Sequence, residues 1–170
     1  MRQGRRRFFI GSGLGWLLSR VTPSRATAQR SAALADATLK AFVDVLIPSD
    51  EIAPSASALG VDKQLLTVAK GKRAYQRLLE LGLDWLNTQS RSDFGGNFPE
   101  LNAGKREAIV RQAATAAYTS LPRVFFERTR ADAFSFYYSR PESWGGIAYY
   151  RGPPQPLGFT DYAKPPRKQH

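Results

Sequence analysis

The stretch LADATLKAFVDVLIPSDE, residues 34–51, decides the fold class. Leu34, Thr38, Ala41 with Phe42, and Val45 with Leu46 recur at i, i+4, i+7/i+8 and i+11/i+12. A helix turns once in about 3.6 residues, so this spacing lays them along one helical face. Pro48 ends the run, because it has no N–H to donate and disfavours helical geometry in the residue before it. Ser49, Asp50 and Glu51 then open a loop that carries Pro54 and Ser55. Further on, residues 61–68 read as a short second helix. Tyr75, Leu78/Leu79, Gly82/Leu83 and Trp85/Leu86 form a third stripe.

The segment NTQSRSDFGGNFPELNAG, residues 87–104, is polar and glycine-containing and reads as a loop. Asn102 is placed to cap a helix over 105 to about 118, whose Ala113, Ala116 and Ala117 suit close packing. Pro122 suits the first position of a last helix reaching about Ser139. That helix carries Phe125, Phe126, Phe134, Phe136, Tyr137 and Tyr138 on several faces. A helix apolar all round is buried on more than one side. In a domain this small, some of that burial is expected to come from a partner.

Residues 140–170 hold six of the chain's eleven prolines, with Trp144, Tyr149, Tyr150, Phe159 and Tyr162 among them. They are too aromatic for a disordered linker and too proline-rich for a helix or central strand. An extended arm accounts for both features. It either folds back on its own helices or lies on a partner. The candidate partner-binding residues are Phe136, Tyr137, Tyr138, Trp144, Tyr149, Tyr150, Pro153, Pro154, Phe159 and Tyr162. The expected fold is therefore all-α: four to five helices with an extended aromatic and proline-rich C-terminal arm.

The net charge of +11 resembles that of a nucleic-acid binder. Its location argues otherwise. Residues 1–28 hold six arginines and no acid, and taking those six from 25 leaves 19 basic against 14 acidic side chains, or +5. The remaining charges are interspersed, so no nucleic-acid partner is expected. There is no cysteine, which removes disulfides, thiolate metal sites and cysteine nucleophiles. The single histidine is His170, so the body of the chain has none for a Ser-His-Asp triad, a metal pair or a haem ligand.

The six arginines belong to a segment with the parts of an export signal. Arg5, Arg6 and Arg7 form a basic start, residues 8–18 an apolar run of 11, and Ala26-Thr27-Ala28 a small-residue cleavage site. Cleavage is expected between Ala28 and Gln29. The run is shorter than the ~20 residues of a membrane-spanning helix. Arg5-Arg6-x-Phe8-Phe9 resembles the twin-arginine motif read by the machinery that exports folded proteins, with an ordinary secretory signal as the alternative. The expected organisation is a signal over 1–28, a helical domain over 29–139 and the arm over 140–170, in a periplasmic protein.

Few groups in the exported part offer chemistry. Asp50 and Glu51 could act as paired carboxylates, or could simply belong to a loop and helix start. Trp144, Tyr149 and Tyr150 could stack on a sugar, or pack against protein. Asp93, Asn97 and Glu100 do not match the spacing of a calcium-binding loop. No cofactor-binding motif lies in residues 29–170. An independent enzyme would have to rest on Asp50 and Glu51. A free helical ligand-binding module would have to rest on the tail aromatics.

Two longer stretches carry a family resemblance. LKAFVDVLIPSDEIAPSASALGVDKQL, residues 39–65, resembles the opening of the gluconate 2-dehydrogenase subunit 3 family, with Leu-Ile-Pro at a helix end, an acidic pair and a small-residue loop. The tail FYYSRPESWGGIAYYRGPPQPLGFTDY, residues 136–162, is similar to that family's ending. The resemblance implies a small, non-catalytic subunit of a periplasmic oxidoreductase. Its partner would be an FAD-dependent dehydrogenase of the glucose–methanol–choline type, oxidising a sugar, sugar acid or glycoside. Electrons would pass towards a membrane-associated c-type cytochrome. The small chain would hold no cofactor itself; it would carry the export signal and stabilise the large one.

Overall fold

The computed structural model describes residues 25–145. Five α-helices form it: α1 (Arg25–Leu46), α2 (Val61–Lys70), α3 (Arg73–Phe94), α4 (Ala103–Thr115) and α5 (Leu121–Tyr138). Two 3₁₀ turns, Phe98–Glu100 and Pro141–Trp144, follow α3 and α5. There is no strand among the described residues. The fold is all-α.

α5 is the helix on which the others converge, packing against α2, α3 and α4. Phe42 of α1 and Phe125 of α5 meet at the centre, their ring centroids 5.0 Å apart. Both are fully buried, as are Leu39, Leu65, Leu86 and Ile109 around them. Burying one such side chain stabilises by about 1.5–3 kcal/mol. Gly82 lets α3 and α5 approach: a Cβ there would overlap the Phe125 ring. Its glycine is a packing requirement, held at a helix-propensity cost of about 1 kcal/mol relative to alanine.

The helix ends follow local chemistry. Asn102 accepts a hydrogen bond from the Lys105 N–H at 3.0 Å and caps α4, as its position in the sequence predicts. α3 ends on Gly95, whose φ of 76° is the left-handed geometry glycine tolerates and whose N–H reaches the Arg91 carbonyl. Pro122 lies in the first turn of α5, where a missing N–H costs nothing.

Three boundaries differ from the sequence reading. α3 continues through residues 87–94, where a loop was expected. Asn87 explains this, because it is a buried hub and not a loop residue. Its Nδ2 donates to Thr38 Oγ1 at 2.9 Å and to the Leu83 carbonyl at 3.1 Å, and its Oδ1 accepts the Phe98 N–H at 3.1 Å. α1 also begins earlier, at Arg25, with residues 25–33 all exposed beyond the core. α4 ends at Thr115, short of Tyr118, which is 83% exposed.

Candidate partner-binding surface

The C-terminal end of α5 meets the loop after α1, and aromatic side chains gather there. The Tyr137 hydroxyl donates to the Pro54 carbonyl at 2.7 Å, pinning the helix to the loop. Its ring is 2% exposed, so it belongs to the chain's own core. Burial, Tyr138 and Asp50 push its pKa up, keeping it a neutral donor. Tyr138 packs edge-on to Tyr137 at 5.1 Å and lies 5.9 Å from Phe134, one turn away. Tyr138 is 54% and Phe134 37% exposed. The two rings face outward.

The next residues hold this end in place. The 3₁₀ turn Pro141–Trp144 folds back, and Trp144 Nε1 donates to the Tyr138 carbonyl at 3.0 Å, satisfying a helix-end acceptor. Arg140 Nη2 reaches Gln64 Oε1 of α2 at 2.9 Å. Gly145 lies against the Ile52 backbone so closely that a Cβ would collide with the Ile52 carbonyl oxygen. Ile52 itself is 60% exposed. The first six residues assigned to the arm, 140–145, therefore pack on their own domain. Tyr149, Tyr150, Pro153, Pro154, Phe159 and Tyr162 lie outside the described residues.

The structure sorts the sequence candidates. Tyr138 and Trp144 come together at one end of the domain. Phe136 is partly buried against the core and Tyr137 is inside it. Phe134 lies beside Tyr138, and the exposed Ile52 lies against Gly145, next to Trp144 in the chain. In the sequence Phe134 is only one of several aromatics on α5. Its signal was the i, i+4 spacing to Tyr138. Of the export-signal candidates, Ala26, Ala28 and Gln29 lie in the exposed first turns of α1. Arg5, Arg6, Phe8 and Phe9 lie outside the described residues.

The charged candidates have structural work. The Asp50 carboxylate accepts the Ile52 and Ala53 N–H groups at 2.8 and 2.7 Å, which lowers its pKa and shapes the loop beneath Tyr137. Glu51 is exposed beside it. Asp93 accepts from Gln112 and Gln89, and Glu100 from the side chain and backbone of Asn97; these bonds hold both carboxyls below their usual range. Among the described residues no three His, Cys, Asp or Glu side chains gather as a metal site.

A groove of about 910 Å³ lies on another part of the domain, between α1, α2 and α3. Leu34, Leu66, Leu79 and Leu83 give it an apolar floor, and Lys63, Glu80 and Asp84 are among its polar walls. Trp144 does not line it. No described helix is long and apolar enough to cross a membrane.

The sequence model of the family described as Gluconate 2-dehydrogenase subunit 3 matches residues 33–152. Neither a curated protein nor a solved structure matches the chain.

Proposed function

This chain belongs to the gluconate 2-dehydrogenase subunit 3 family, a family of dehydrogenase-complex subunits, and from that membership we propose the following role. It is the non-catalytic small subunit of a periplasmic complex whose large subunit is an FAD-dependent dehydrogenase of the glucose–methanol–choline type. The complex oxidises a sugar, sugar acid or glycoside and passes electrons to a membrane-associated c-type cytochrome. The FAD and haem belong to the partners. This chain carries the twin-arginine signal and stabilises the large subunit.

The family match over residues 33–152 carries this reading. Four residues separate the expected cleavage point from the start of the match, so the candidate leader stands outside the family body. The exposed Phe134 and Tyr138 rings add support, since outward aromatics suit a subunit with a protein partner.

Purification of the affinity-tagged full-length chain from its own host tests the role. Flavin absorption bands and a dehydrogenase-sized second chain are the expected result. Recovery of the exported chain as a stable monomer without flavin would refute it. Replacing Arg5 and Arg6 by lysine isolates the carrier part: the flavoprotein should then stay in the cytoplasm, and its continued export would remove that part alone.

The groove between α1, α2 and α3 supports a second reading, a free ligand-binding module. Its volume is in the range of small-molecule sites. On that reading the chain alone binds a small molecule, and Thr67→Trp, on the groove wall, abolishes binding.

A further inference from the structure

We propose that the outward face of α5 is the ridge by which this chain docks into an apolar groove of its flavoprotein partner. The proposal rests on the subunit reading above and assigns its contact surface.

The inward face of α5 carries Phe125, Phe126, Thr129, Ala133 and Tyr137, all buried. At about 100° per residue, Val124, Ala131, Phe134 and Tyr138 fall within about 80° of one another on the opposite side, and Glu127 falls in the same arc between Phe134 and Tyr138. Val124 is 43% exposed, Phe134 37% and Tyr138 54%, and Ala131 is exposed between them. Val124, Ala131 and Tyr138 follow a seven-residue repeat, the spacing of a helix seam that meets another surface. Apart from the edge-on contact of Tyr138 with Tyr137, the described residues leave much of this seam open to solvent.

The one charge within the stripe, Glu127, is neutralised by ion pairs, and the arginines beside the stripe are engaged by other partners. Glu127 accepts from Arg123 at 2.8 Å and from Arg130 at 2.9 Å. Arg128 bonds Asp132 at 3.0 Å and lies over the Tyr75 ring at 5.2 Å. Arg130 lies over the Phe126 ring at 5.3 Å. A membrane-surface helix instead presents a polar face of lysines and arginines to lipid headgroups. Paired charges along an apolar stripe suit a protein groove of low field.

Size separates a large partner from a second copy. From Val124 to Tyr138 the ridge is about 21 Å long and about 10 Å wide, roughly 200 Å². Each side of a stable interface contributes ~800 Å². Two such ridges crossing each other fall well short. A larger partner can enclose the ridge and also receive chain beyond Gly145. That point lies against Ile52 at the ridge's end, and 25 further residues with Tyr149, Tyr150, Phe159 and Tyr162 follow it.

The test uses the full-length tagged chain in its own host, reading flavin recovered per mole of chain. Phe134→Ser with Tyr138→Ser should lower that yield about tenfold or more, while the melting curve of the chain stays near that of the parent. Ala131→Arg, in mid-stripe and exposed, should do the same and guards against a folding artefact. Unchanged flavin recovery in these variants, with the parent still capturing flavoprotein, overturns the ridge and leaves the subunit reading standing. A parent that captures no flavoprotein overturns both. A parent that forms a flavin-free dimer, split by Phe134→Ser, makes a second copy the occupant and also overturns the proposal.

Discussion

The two faces of α5 are both apolar, yet they have different fates. Its inner face packs on Phe42 and on the bare backbone of Gly82, and nothing larger fits there. Its outer face presents Val124, Ala131, Phe134 and Tyr138 to solvent. The inner residues are explained by the fold. The outer ones are left partly exposed by it, and the proposed docking ridge accounts for them. Apolar content along a helix therefore has to be divided by direction before it says anything about stability or partners.

The largest expected effect is on the inner face. Phe125→Ala should lower stability by about 3–5 kcal/mol, read by urea denaturation, because it empties the site against Phe42 and Gly82. A loss below about 1 kcal/mol would mean that the two faces are not as different as described. Gly82→Ala should cost about 1–3 kcal/mol despite alanine's better helix propensity, since its methyl overlaps the Phe125 ring. The same substitution in a Phe125→Leu background should cost less, because the pair is coupled through one contact. Equal costs in both backgrounds would break the assignment of Gly82 to that contact.

The outer face should behave differently. Phe134→Ser with Tyr138→Ser should leave stability within about 0.5–1 kcal/mol, since exposed side chains contribute little. A larger loss would make the outer face part of the fold after all. The smallest effect belongs to the loop where the faces meet. Two N–H donors lower the Asp50 pKa in the folded chain. The stability it adds is therefore present above the ordinary aspartate pKa and fades as pH falls through the lowered folded value. Asp50→Ala should be less stable than the parent at neutral pH, and the gap should close in acid. A gap independent of pH would remove the carboxylate from the explanation.

Much of this was legible in the sequence, and the exceptions have physical causes. Helix stripes at Leu34–Leu46 and Tyr75–Leu86, the Asn102 cap and the Pro122 start all follow from spacing and backbone chemistry. Residues 87–94 did not. Asn87 and Ser90 read as loop, but both are buried, and Asn87 exchanges hydrogen bonds with three other residues. A polar side chain held inside the core, as Asn87 is by its hydrogen bonds, carries no outward sign of it in one sequence. Tyr137 misled in the other direction. It stands next to Tyr138 in the chain, yet one step around the helix turns it into the core while Tyr138 faces out. The 124, 131, 138 repeat was present in the sequence, hidden because the inner face is equally apolar.

A photo-crosslinking amino acid placed at position 134 tests the central claim most directly, with position 67 on the groove wall of α2 as the comparison. In the full-length chain within its host, illumination should join position 134 to a flavin-containing dehydrogenase and leave position 67 unjoined to it. A dehydrogenase captured from position 67 and not from position 134 would contradict the account.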